Sequence, residues 1–153
     1  MKKAAFIVGI ASALIDGSMA ASSASSLGQP TVSVALKNNS SDKITLGKIN
    51  CGGTPKLPEN VPAHSTGCGS VESNFSGVMS CGFQYKISSG NSCQFTISRL
   101  STVGNPMLGT KDQWKYPSIY LTSGSSSQCS GRIISASQNN SGDFSVELNY
   151  DFY

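Results

Sequence analysis

Apolar and polar side chains alternate along most of this chain in short runs separated by Gly, Pro, Asn and Ser clusters. TVSVALK (31–37) puts Val32, Val34 and Leu36 on one side, and KITLGKI (43–49) repeats the pattern through Ile44 and Leu46. VMSCGFQYKI (78–87) aligns Cys81, Phe83, Tyr85 and Ile87, while NSCQFTISRL (91–100) aligns Cys93, Phe95 and Ile97. FSVELNYDF (144–152) carries Phe144, Val146, Leu148, Tyr150 and Phe152 at every second position. GCGSVES (67–73), SIYLT (118–122) and RIISAS (132–137) are shorter runs of the same kind. A period of two is that of a strand with one buried face. About eight such strands, spaced roughly ten residues apart with turn residues between them, predict an all-β fold, a single antiparallel β-sandwich. No eleven-residue window beyond residue 20 shows a helical period.

The connecting segments are as informative as the strands. NFSG (74–77) between two strand-like runs reads as a hairpin turn, and CGGTPKLPENVPAHS (51–65), with three prolines and two glycines, as a loop. STVGNPMLGTKDQWKYP (101–117) is the longest irregular stretch late in the chain.

The N-terminus follows a different rule. Lys2 and Lys3 precede the apolar run AAFIVGIASALI (4–15), and Ser18-Met19-Ala20 places small residues where a signal peptidase cuts. That order predicts a bacterial-type signal peptide over 1–20 and a secreted or periplasmic protein. A small polar leader over 21–30 and a sandwich domain over 31–153 complete the predicted organisation. The apolar run is too short to span a bilayer.

The chain has 11 Lys+Arg and 8 Asp+Glu, for a formal charge of +3. Removing residues 1–20 leaves nine basic and seven acidic residues, scattered singly. A nucleic-acid partner, which needs a concentrated basic face, is not expected.

In an exported protein the five cysteines, Cys51, Cys68, Cys81, Cys93 and Cys129, read as a disulfide framework with one thiol left over. No CxxC-type pair supports a metal site, and no cofactor motif is present. If 74–77 closes a hairpin, Cys68 lies opposite Cys81, which predicts that pair. Cys93 could then join Cys51 or Cys129. The only histidine, His64, lies in the polar segment PAHSTG, and no GxSxG, HExxH or SxxK motif accompanies it. It reads as a loop histidine. Glu59, Glu72, Asp112, Asp143 and Glu147 form no recognisable acid/base pair, so a non-enzymatic protein is expected.

The candidate binding residues lie in KDQWKYP (111–117). Trp114, the only tryptophan, and Tyr116 stand among Lys111 and Lys115. Aromatic rings with a polar edge suit a membrane interface, and lysines suit anionic headgroups. The same rings also suit glycans or protein contacts, or Trp114 folds back to cap the sandwich.

VALKNNSSDKITL (34–46), PENVPAHSTG (58–67), SGVMSCGFQYKI (76–87) and GNP (104–106) together resemble an aegerolysin-type domain over residues 31–106. The resemblance implies a compact β-sandwich that recognises membrane lipids and sometimes forms pores with a partner. This chain departs from such domains in its signal sequence, its cysteines and its positive charge. The expected function is an exported binding protein that recognises a membrane lipid, glycan or protein partner at a cell surface, with a toxin-like or interaction role. Two alternatives stand beside it. The final strand resembles that of a fimbrial surface-assembly subunit, in which 31–37 would be a donor strand completing a neighbour's sheet. The other is a periplasmic inhibitor or immunity-type protein.

Overall fold

A computed structural model describes residues 27–153. The predicted signal segment 1–20 and leader residues 21–26 lie outside the described residues. Among the described residues eleven strands form two packed sheets: β1 (Thr31–Asn38), β2 (Ile44–Cys51), β3 (Gly53–Lys56), β4 (Asn60–Val61), β5 (Ser65–Ser73), β6 (Val78–Lys86), β7 (Ser92–Thr102), β8 (Gln113–Trp114), β9 (Ser118–Ser123), β10 (Cys129–Ala136) and β11 (Phe144–Tyr150). One sheet runs β10-β11-β1-β5-β3 and the other β4-β2-β6-β7-β8, with β9 also paired to β7. The all-β sandwich is as the alternation predicts. The three added strands, β3, β4 and β8, are two to four residues long and fall in segments whose prolines and glycines read as loop.

The core is the sum of the alternating faces. Val32, Val34 and Leu36 of β1 lie in register with Phe144, Val146 and Leu148 of β11, all buried. β1 and β11 run parallel, whereas β1 and β5 run antiparallel. β5 contributes Gly67 and Gly69 opposite Leu36 and Val34, and a Cβ at either would collide with Val61 or with Leu57 and the Lys56 carbonyl. Those glycines let the proline-rich segment 55–62 lie across the sheet and bury Val61. Phe83, Tyr85, Phe95, Tyr150 and Phe152 fill the centre, with edge-on ring pairs such as Tyr85–Tyr150 at 5.6 Å.

The 74–77 segment is not a hairpin turn. β5 and β6 belong to different sheets, and the chain crosses between them there. The Ser73 hydroxyl contacts the Phe75 N–H and carbonyl and donates to the Val78 carbonyl, satisfying backbone that a hairpin ladder would otherwise pair. The predicted Cys68–Cys81 pair is therefore wrong: Cys81 faces the core, and Cys68 is an exposed free thiol on the outside of β5. The observed disulfides are Cys51–Cys81, between neighbouring β2 and β6, and Cys93–Cys129, which ties β7 of one sheet to β10 of the other. Such pairs fit an oxidising compartment.

Residues 27–30 belong to the fold rather than to a leader. Leu27 is buried, the Gly28 N–H donates to the Asn140 carbonyl at 2.7 Å, and the Gly28 carbonyl accepts from the Gly77 N–H at 3.0 Å. The segment has backbone partners on two turns, which a composition of small polar residues does not reveal.

Two buried phenols contrast. The Tyr85 hydroxyl donates to the Pro58 carbonyl at 2.6 Å, whereas the Tyr150 hydroxyl has no hydrogen-bond partner among the described residues. Burial pushes both phenol pKa values above their ordinary value. Tyr150→Phe is expected to leave stability unchanged or raise it by about 1 kcal/mol, because it removes an unmet hydroxyl. Tyr85→Phe should cost about 1 kcal/mol. Urea midpoints compare the two; a greater loss for Tyr150→Phe would contradict this accounting.

Candidate binding loop

β7 is the longest strand, and its last residues outrun β9. Ser98 is the last residue opposite β9, after which Ser101 and Thr102 pair with Trp114 and Gln113 of β8. Beyond that pair the chain makes a turn over 103–112 that is hydrogen-bonded to itself. Asn105 Oδ1 accepts from the Met107 N–H at 2.9 Å, and the Asn105 carbonyl accepts from the Leu108 and Thr110 N–H groups. Thr110 Oγ1 accepts from the Asn105 N–H at 2.6 Å, Asp112 from the Gly104 N–H at 2.8 Å, and Gly109 donates to the Pro106 carbonyl. Pro106–Leu108 is a single 3-10 turn, started by the Asn105 side chain and ended by Gly109 at φ 75°.

This internally bonded turn displays apolar side chains. Val103 is 88 % exposed, Met107 94 % and Leu108 76 %, and Leu100 at the loop's base is also exposed. Single exposed apolar residues are ordinary on a protein surface, but several on one turn make it a candidate interaction site.

The predicted binding residues divide into a root and a rim. Trp114 is half-buried at the root, over Gly142, whose φ of 73° and missing Cβ make room for the indole. Its Nε1–H donates to the Asn140 carbonyl at 3.3 Å, and the Arg99 guanidinium lies 5.5 Å from its ring centroid. Arg99 is only 1 % exposed; its Nε donates to the Lys115 carbonyl at 2.9 Å and its Nη1 to the Gly142 carbonyl at 2.8 Å and the Asp143 carbonyl at 3.2 Å. Desolvation lowers the Arg99 pKa, and the Asp143 charge opposes that shift. Trp114 thus takes the capping position, one of the two placements open to it. Tyr116 remains 70 % exposed, and Lys111 and Lys115 are exposed as well. Val103, Met107 and Leu108 were missed because they break the alternation that marks strands. The available signal was an apolar pair inside the glycine-bounded turn GNPMLG.

The other sequence candidates have framework positions. His64 is exposed in the turn before β5, with φ 53° and its N–H on the Ser40 carbonyl. Glu72 faces Lys56 at 3.8 Å, Glu147 faces Arg132 at 3.1 Å, and Asp143 accepts from the Thr31 N–H. Among the described residues no three His, Cys, Asp or Glu groups converge as metal ligands, and no helix is long and apolar enough to cross a membrane. The segment 31–37, the donor-strand candidate, is central in its own sheet. Its following turn is tied down by Asn38, whose side-chain amide donates to the carbonyls of Asp42, Val61 and Pro62.

No protein-family model matches this chain, and a comparison with curated proteins finds no significant match.

Proposed function

We propose that this is an exported, non-enzymatic binding protein of toxin-like or interaction role, which docks on a membrane lipid surface through the 103–112 turn. The observation that carries the reading is the exposure of Val103, Met107 and Leu108 on a turn in which the N–H groups of residues 104, 105 and 107–110 are bonded within the turn. Backbone N–H groups left unpaired would oppose entry into an apolar phase, and here those of residues 104, 105 and 107–110 are already bonded. Each large side chain withdrawn from water contributes about 1.5–3 kcal/mol. Lys111 and Lys115 would each add about 1 kcal/mol at an anionic surface, and Tyr116 offers an amphipathic ring at headgroup depth. Those sums, about 6–11 kcal/mol before the cost of immobilisation, support weak and reversible partitioning. The two disulfides, the signal-like N-terminus and the resemblance of 31–106 to aegerolysin-type domains support export and a lipid target.

Co-sedimentation with phosphatidylserine-containing and with purely zwitterionic vesicles tests it. Wild type should bind both, the anionic ones more tightly. Lys111→Glu with Lys115→Glu should weaken the anionic binding at least about tenfold and leave the zwitterionic binding nearly unchanged. A wild-type protein that stays in the supernatant with both vesicles would sink the reading.

A further inference from the structure

Among the described residues, several concavities lie on the sandwich surface away from the apolar turn. Two of them, of about 560 Å³ and 330 Å³, share Ser33 and Ser145 and so form one trough over the outer face of the β10-β11-β1-β5-β3 sheet. The register explains its floor. Ser70, Ser33, Ser145 and Ser135 stand side by side across β5, β1, β11 and β10, and the last two hydroxyls are 2.7 Å apart. In the next row Ala35 lies between Cys68 and Glu147, leaving the middle of the sheet low. One wall rises on β10, where a register shift between Ile133 and Ser135 turns Ile134 outward, 51 % exposed. Bulges of this kind re-aim a side chain beside binding sites.

The chemistry of the lining selects the ligand. Arg132 and Glu147 meet at 3.1 Å, and Asp143, at the other end of the trough, accepts from the Thr31 N–H, so each charged group of the lining already has a partner. A charged ligand would have to split that pair, and an acyl chain would leave the serine row unpaired. A pyranose has an apolar C–H face that fits Ile134 and the Ala35 methyl. Its hydroxyls can exchange hydrogen bonds with Ser33, Ser145 and the free lone pairs and N–H groups of the ion pair. We infer that this trough is a glycan-binding site that takes an uncharged oligosaccharide, either free or as the headgroup of a glycolipid. The inference is independent of the membrane role of the 103–112 turn.

The test is an amide chemical-shift titration of the wild-type protein with cellohexaose, maltohexaose, xylohexaose and lactose, repeated with vesicles containing lactosylceramide. The vesicle arm uses Met107→Asp with Leu108→Asp, so that insertion of the turn cannot produce the signal. At least one sugar should shift Ser33, Ala35, Ile134 and Ser145 and leave 103–112 unmoved. Ser33→Phe, and separately a bulky maleimide placed on the exposed Cys68 of the folded wild type, should each weaken binding at least about tenfold. The same sites responding only to the vesicles would identify the glycolipid source. No shift in the trough with any sugar or vesicle, or binding that survives both obstructions, would overturn the inference.

Discussion

Replacing Arg99 with alanine is expected to destabilise the fold by about 3–5 kcal/mol, a large share of a small domain's total. The guanidinium bonds three carbonyls, those of Lys115, Gly142 and Asp143, and it packs against Trp114. Alanine would orphan acceptors in a dry setting at about 1–3 kcal/mol each and remove the support of the indole. One nitrogen, Nη2, has no partner among the described residues, and burying the charge is itself unfavourable, so the net value falls below the sum of its bonds. Arg99→Lys cannot restore the fork geometry and should recover less than half of the loss. Urea unfolding at pH 7 measures both; a change below about 1 kcal/mol for Arg99→Ala would show that the carbonyls find other partners.

The second large effect concerns the turn. Met107→Asp with Leu108→Asp should reduce vesicle affinity more than about 100-fold, because two side chains that each contribute about 1.5–3 kcal/mol are replaced by charges. Both residues are exposed and make no core contact, so the urea midpoint should stay within about 0.5 kcal/mol of wild type. Trp114→Ala should show the opposite profile. It removes a half-buried ring that rests on Gly142 and Arg99, and its main effect is on stability. A double Asp variant that sediments with vesicles like wild type would contradict the assignment of Met107 and Leu108.

The strand faces were legible in the sequence because alternation is a local signal. Val32 to Leu36, Cys81 to Ile87 and Phe144 to Phe152 all point inward as their spacing requires. What failed was long-range. A hairpin and a sheet-crossing share the same turn residues, so NFSG could not show that β5 and β6 part company. The disulfide pairing fell with it, since Cys51 reaches Cys81 only through the pairing of β2 with β6. The parallel neighbours β1 and β11 stand over 100 residues apart in sequence, beyond any local rule. Of the proposed site, KDQWKYP stands out in the sequence by its rare tryptophan, whereas the exposed apolar pair at the tip of the same hairpin carries no comparable local signal. Rarity is a signal of residue type, and exposure is a property of the fold.

The most direct measurement places an environment-sensitive nitrobenzoxadiazole label on the turn. Met107→Cys in a Cys68→Ser background carries it at the tip, and Ser130→Cys in the same background carries it on exposed β10. With phosphatidylserine-containing vesicles, the label at 107 should shift its emission to the blue and gain intensity, as it would on leaving water, while the label at 130 stays unchanged. Emission at 107 that remains that of the free protein, at lipid concentrations where the protein is bound, would contradict insertion of this turn.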